Sequence, residues 1–565
     1  MNSNLKLIWG LPDLMKGSLR AWLLCVLLLV AGGQATGQYV NLPLGHWAYG
    51  FLERMQTKGV LRDANLMNRP LSRSDVAAMV ARISEDELSA VDLERLEWLR
   101  AEFALELERH SPVPNERRHA VTLEFPDAHF VLNPAGGFKT HTAGGIELAD
   151  AERSVTTTTV GLYSYGYLYK QFGYSLFFTN SREQGNPLGL PFSANDASYV
   201  RRLSPERGLA SQRRRQGGDD PQFFFDTAEA YLTFQHRGFG VEYGSEVNRW
   251  GPGYRGTLTL SDKSPPVPTL KVRLDLHNRL EFIFLTSSLR TNGSVDDPVY
   301  EKIYGGARPR RPSKYFTGHI LTLNLPGATF SLSESVVYGL RLEPIYLVPV
   351  LPIWSSQTDL GDRDNVQVTF SADVHAMKDV RIYGQLHVDE IEFSSLFGSD
   401  NRNWIGYQIG VLLTDALSRV PDLNLRGEFT RIDPRAYRQR FPINDLESHG
   451  YPLGFWTGPN ADNLYHSAEY FLSRALSLTT WFERTRKGEL RPIDDQYKNE
   501  TIIFLDPELN SERRRIFSIG GRYEPFRDLF IELSVQRISN ETRDKVNTSE
   551  NTKTNIFFGA RYNIY

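Results

Sequence analysis

The sequence predicts a mainly β protein, a transmembrane antiparallel β-barrel preceded by a small three-helix unit. Three observations carry this reading. The chain begins like an exported protein. Its apolar residues alternate with period two through most of its length, against a polar face rich in charged side chains. It is rich in aromatic residues, with 26 Tyr and 32 Phe, yet offers no apolar run long enough for a membrane-spanning helix after its start.

The start comes first. Lys6, Lys16 and Arg20 form a basic region, followed by AWLLCVLLLVAGG. About a dozen apolar residues fit the ~7–15 of a leader and fall short of the ~20 that span a bilayer. Small residues offer cleavage after Ala35 or Gly37, so residues 1–37 read as a signal peptide, with a retained anchor helix as the alternative. Cys25 is the only cysteine and lies inside the leader. A mature chain without cysteine has neither disulfides nor thiolate metal sites. Net charge is −3, which provides no nucleic-acid footprint. Mean hydropathy is −0.38, and the longest later apolar run, YLVPVLPIW, is broken by Pro349 and Pro352. A periplasmic or extracellular all-β protein would share these properties.

Residues 38–112 read as a periplasmic helical unit. In GHWAYGFLERMQTKGV, Trp47, Phe51 and Met55 recur at helical spacing, and Gly59 stands where a helix stops. In PLSRSDVAAMVARI, Ser72 precedes Asp75 by three, close to a capping box, and Val76, Met79, Val80 and Ile83 form the apolar stripe. A third helix carries Leu96, Leu99, Phe103 and Leu107 and ends near His110. HWAY…GV with RPLSRSDVAAM resembles one surface-layer homology repeat, a module that binds cell-wall polymers. The alternative is that Trp47 and Tyr49 are core residues.

Residues 113–565 read as the barrel. In DLFIELSVQR, Leu529, Ile531, Leu533 and Val535 share one face. In DVRIYGQLHVD, Val380, Ile382, Leu386 and Val388 face away from Arg381, Tyr383, Gln385, His387 and Asp389. A soluble sandwich also alternates, but the charged second face suits a wide lumen, and roughly 16 to 20 such segments exceed a common sandwich. The chain ends on an aromatic residue, Tyr565, inside an expected strand, as outer-membrane barrels do. The apolar face of that strand (Ile556, Phe558, Ala560, Tyr562, Ile564) is out of phase with it.

One stretch invites a chemical reading. Asn248–Pro268, NRWGPGYRGTLTLSDKSPPVP, contains a G-x-G-x-x-G at Gly251, Gly253 and Gly256. A dinucleotide cradle needs a helix after its glycines, whereas TLTLS and Pro265, Pro266 and Pro268 follow here. The stretch reads instead as a strand–turn–strand at the barrel rim. Arg249, Trp250, Tyr254, Arg255, Asp262 and Lys263 then form a polar network, suited either to sugar rings and carboxylated sugars or to bracing the barrel. Arg213, Arg214 and Arg215 in the 183–222 loop, with Arg308, Arg310, Arg311 and Lys314 in GARPRRPSK, are either solvated surface or a cationic mouth for acidic polymers. No H-E-x-x-H or G-x-S-x-G occurs, and Asp389 and Glu390 point to opposite faces of a strand. No catalytic residue, cofactor or metal is expected.

Four ordered pieces carry a resemblance to one family: RWGPGYRGTLTLSDKSPPVP, SESVVYGLRLEPIYLVPVLP, GEFTRIDPRAYRQR and YPLGFWTGPNADNLYHSAEYFL. With the helical start LPLGHWAY, they resemble the Wzi capsule-assembly family. The resemblance implies a barrel of about eighteen strands in the outer membrane of a Gram-negative bacterium, with the helical bundle on the periplasmic side. It implies lectin-like retention of exported capsular polysaccharide, with surface polysaccharide and outer-membrane lipid as partners. Export machinery, or a cell-wall polymer held by the helical unit, is a further expected partner. A porin-like channel is the alternative, and a glycan-modifying enzyme a more remote one.

Overall fold

The computed structural model describes residues 39–86, 88–107, 119–143, 154–169, 171–185, 214–216, 222–291, 295–296, 309–361, 363–390, 404–416, 420–492, 503–545 and 547–565. The leader expected at 1–37 lies outside them. Three helices form where the spacing predicts them: α1 (Ala48–Thr57), α2 (Arg73–Ala81) and α3 (Ala90–Glu102). The third ends at Glu102 rather than near His110, and Phe103 to Leu107 continue as turns, while His110 lies outside the described residues. Gly59 takes a left-handed φ of 80° just beyond α1. The Ser72 hydroxyl accepts the Asp75 N–H at 3.0 Å and starts α2. Phe51, Met55, Val76, Val80, Leu96, Leu99 and Phe103 are buried together, and Tyr49 joins them.

Eighteen strands close into an antiparallel barrel among the described residues. They are β1 (Ala128–Ala143), β2 (Ser154–Leu168), β3 (Phe172–Gly185), β4 (Gln222–His236), β5 (Phe239–Glu246) and β6 (Val267–His277). Then follow β7 (Leu280–Arg290), β8 (Ser313–Leu325), β9 (Ala328–Gly339), β10 (Asn365–Met377), β11 (Val380–Glu390) and β12 (Trp404–Thr414). The last six are β13 (Leu423–Ile432), β14 (Ala461–Phe471), β15 (Leu476–Gly488), β16 (Ser511–Tyr523), β17 (Leu529–Arg543) and β18 (Thr548–Tyr562). Each pairs with its neighbour, and β18 returns to β1 from Asn555↔Ala143 to Tyr562↔Gly136. A short strand, Val121–Phe125, forms a hairpin with β1 before the barrel begins.

The alternation resolves into a lipid face and a lumen face. On β17, Leu533 and Val535 are 55% and 48% exposed outward, while Phe530 is buried inside. On β11, Ile382 and Leu386 face out, and Arg381, Tyr383, Gln385 and His387 are buried within. The phase of Tyr565 now has a cause. Strand β18 stops at Tyr562, Asn563 turns with φ 52°, and Tyr565 swings inward. Its ring lies 5.0 Å from His46 and 6.4 Å from Tyr163, so it packs under the helical unit rather than facing lipid.

Short turns gather at one end, and the helical unit docks there. The Gly327 N–H donates to Arg62 O and the Asp379 N–H to Thr57 O, both at 2.8 Å. Arg54, fully buried, bonds Asp92 within the unit, and Asp415, Asp422 and Asn424 on the barrel. Glu53 accepts from Arg69 at 2.7 Å and from Arg426 of β13 at 2.9 Å, with Arg381 of β11 at 3.5 Å. Burial alone would raise the Glu53 carboxyl. Arg381, Arg426 and Arg69 outweigh it and hold the group below the ordinary carboxylate value.

Candidate functional site

The stretch after β5 does not form a rim hairpin. It enters the lumen, and the expected second strand TLTLS is a compact turn instead. Arg249–Trp250 pair antiparallel with Asn68–Arg69 of the helical unit. The Trp250 N–H reaches Leu260 O and the Gly251 N–H reaches Met67 O, both at 2.9 Å. The lumen wall satisfies the rest. Gln385 accepts the Leu258 N–H, Thr259 donates to Thr369, and Gln408 donates to Gly256 O. These polar wall side chains replace the partners that a neighbouring strand would have supplied, which is why β-branched alternation here does not produce a strand.

A second segment reaches the same place from the long-loop end. Residues 433–460 fold inward, and Tyr437, Leu446, Leu453, Phe455 and Trp456 pack with Trp250 and Leu258. The Tyr437 hydroxyl donates to Leu258 O at 2.6 Å, and the Ser261 N–H donates to Leu453 O at 2.7 Å. Three layers of the chain's own residues therefore occupy the lumen: the helical unit, Arg249–Ser264, and the inward part of 433–460. All four sequence pieces that resemble the Wzi family meet here, the second through Val337.

The six residues singled out in this stretch divide into four environments. Trp250 is 2% exposed, with Phe316 at a ring distance of 6.5 Å and Gly318 against its edge. Arg249, Asp262 and Lys263 form an ionic group, with Lys263–Asp262 at 3.0 Å and Arg249–Asp262 at 3.9 Å. Burial pushes the Asp262 carboxyl up, but Lys263 and Arg249 win and bring it down to about 2. Arg255 makes a two-pronged bond to Glu483 at 2.9 and 3.0 Å and lies over the Tyr465 ring. Tyr254 differs from the others. It is 43% exposed, with Arg426 4.0 Å from its ring and Tyr465 beside it at 5.5 Å.

The glycines have two different reasons. Gly256 adopts φ 144°, which a side chain resists. Gly253 is not left-handed. A Cβ there would stand 2.2 Å from Gly256 O and 2.0 Å from Gln408 Oε1, so close approach excludes it.

Glu428 was not singled out from sequence and is the hub of the site. It accepts the Tyr254 and Arg255 N–H groups and the Tyr383 hydroxyl. Alternation along GEFTRI places it inward. Its partners are distant in sequence, so nothing local marked it. Asp389 accepts the Tyr437 N–H and thus helps hold the inward loop. Of the arginine loops, Arg213 lies outside the described residues. Arg214 and Arg215 belong to a short strand, Arg214–Gln216, paired with β4. Arg308 also lies outside them, and Lys314 turns into the barrel as part of β8, donating to Asp445 O at 2.7 Å.

These features define an outer-membrane β-barrel whose lumen is occupied by its own chain. Residues 194–554 match the family model for the capsule assembly protein Wzi, and the chain belongs to that family. Among solved structures it is similar to Wzi of Escherichia coli, an outer-membrane protein involved in group 1 capsule assembly and described as a carbohydrate-binding β-barrel. The two are 14% identical, and the match covers 94% of this chain and 99% of that one, with a TM-score of 0.54. OccD3 (OpdP) of Pseudomonas aeruginosa matches at 9% identity, over 76% of this chain and 92% of that one, with a TM-score of 0.37. OccAB2 of Acinetobacter baumannii matches at 9% identity, over 76% and 97%, with a TM-score of 0.40. No curated protein is close enough in sequence to count as a match.

Proposed function

We propose that this barrel binds exported capsular, or another surface, polysaccharide and retains it at the surface of a Gram-negative cell, without catalysing a reaction. The observation that carries the reading is the occupied lumen. A barrel crossed by three layers joined through strand pairing and buried ion pairs is built to hold rather than to pass. Family membership and the carbohydrate-binding description of Wzi of Escherichia coli support it.

Within this reading the candidate residues take different tasks. Trp250 and the Arg249–Asp262–Lys263 group brace the lumen. Tyr254 and Arg255 form the glycan-facing part, because an aromatic side chain that stays 43% exposed and a guanidinium held in place suit sugar rings. Arg213, Arg214 and Arg215 attract acidic polymer from the long-loop side. The helical unit, residues 38–112, stands at the periplasmic end, where export machinery or a cell-wall polymer is its partner. Residues 1–37 act as the leader and residues 113–565 as the membrane domain. Tyr254→Ala should lower polysaccharide held by the purified barrel while leaving its heat resistance unchanged. Equal polysaccharide binding by Tyr254→Ala and the unaltered protein would remove Tyr254 from the glycan surface.

A further inference from the structure

The outward wall of the last strands carries charges where a lipid-facing surface should be apolar. One cross-strand row reads Asp462, Arg486, Arg513, Glu541, Glu550 across β14 to β18. The row below it, nearer the short-turn end, places Arg484 directly opposite Arg515. Four guanidiniums thus form a two-by-two block on β15 and β16. Their outward direction follows from alternation with Phe517 and Ile519, which are 48% and 58% exposed on the same face. Like charges directly opposite on paired strands repel, with Cβ atoms ~5 Å apart.

The protein compensates only in part. Arg513 and Arg515 reach Glu541 at 3.0 and 3.3 Å, Arg515 is 3.7 Å from Glu550, and Arg484 and Arg486 share Asp462. One row lower, Arg537 lies opposite Phe517 and makes no side-chain hydrogen bond or ion pair among the described residues. Five guanidiniums against three carboxylates leave two positive charges. The Arg484 Nε is buried without an acceptor. The four arginines of the block keep between 30% and 40% of their side-chain surface exposed.

Height fixes what meets this block. Arg484 lies eight residues above Leu476, where β15 leaves the short-turn end. At ~3.4 Å per residue and a tilt of ~40°, that is about 20 Å along the membrane normal, near the upper edge of an apolar band ~25 Å tall. Phe482 and Phe517 lie directly beneath the block. We propose that this wall binds the phosphate groups of an outer-leaflet lipid, with the guanidiniums clamping the headgroup and the aromatic row taking its acyl chains. A soluble acidic glycan is the weaker fit, because the block faces away from the lumen and continues into the lipid-facing surface.

Native mass spectrometry of the detergent-purified full chain tests this with bisphosphorylated lipid A as the probe. The unaltered protein should retain one lipid A molecule. Arg513→Gln with Arg515→Gln should weaken retention at least tenfold, and inorganic pyrophosphate should compete at least a hundredfold less well than the lipid. Arg537→Gln, which breaks no ion pair, should weaken it about threefold and carries the test if the double variant fails to assemble. Three outcomes would overturn the proposal: equal lipid retention by assembled variants, displacement of the lipid by pyrophosphate at matched concentration, or loss of acidic polysaccharide binding with lipid binding intact.

Discussion

Trp250→Ala separates bracing from glycan binding. The indole is 2% exposed and sits in the cluster that joins the lumen segment to the inward 433–460 loop. A buried Trp removes roughly 150–250 Å² from water, about 4–6 kcal/mol at ~25 cal/mol per Å², and measured Trp→Ala losses of ~3–5 kcal/mol agree. The strand ladder of the barrel does not pass through this side chain, so β1–β18 should still form. The loss should fall on the seam between Arg249–Trp250 and Asn68–Arg69. A seam weakened by ~3–5 kcal/mol opens ~10²–10⁴ times more often. Limited proteolysis in detergent should therefore cut within 39–107 far faster than in the unaltered protein, while unboiled gels still show a folded barrel. Unchanged protease resistance and an unchanged melting temperature would refute the bracing argument.

Gly253→Val should abolish or strongly reduce assembled protein, because its side chain meets the Gly256 backbone and no rotamer escapes that contact; normal yield on membrane fractionation would contradict it. Replacing Arg213, Arg214 and Arg215 with Ser should weaken binding of an acidic capsule fragment at low salt and matter less at high salt, since exposed charges are screened over ~10 Å at 0.1 M; equal binding at low salt would return the run to solvated surface. Docking of the helical unit should depend on pH in two directions. Burial would raise Glu53, Asp75, Asp92, Glu102 and Asp415, but the facing Arg and Lys groups hold all five below their ordinary values, so their stabilisation is present above an unfolded pKa of ~4 and is lost as pH falls below it. Asp528 has the opposite sign: burial and Glu102 push it up to about 7, so its contribution is present at low pH and lost as pH rises through 7. Protease protection of residues 39–107 should thus peak between about pH 4 and 7, and a flat profile from pH 3 to 9 would count against these ion pairs.

The barrel was legible because period-two alternation reports a two-faced environment wherever lipid and lumen differ, as on β11 and β17. The helices were legible for the same kind of reason: Ser72, Gly59 and the stripe Val76–Val80 are local signals. What crosses the lumen was not. TLTLS carries a strand pattern, yet its partners on the lumen wall are Gln385 and Thr369, more than a hundred residues away. No local rule distinguishes a β-branched run that pairs with a strand from one satisfied by a polar wall. The terminal tyrosine did leave a trace, since its phase error marked the residue that abandons the lipid face. The arginine block was hidden differently. Arg484 and Arg486 look like ordinary polar-face residues until strand register sets them against Arg515 and Arg513.

The most direct test of polysaccharide retention is the partition of capsular polysaccharide between cells and medium after deletion of the gene. Total exported polymer should stay constant while the cell-bound share falls, and the unaltered barrel should restore it where Tyr254→Ala does not. Cell-bound polymer unchanged by the deletion, or a loss of export itself, would contradict retention as the function.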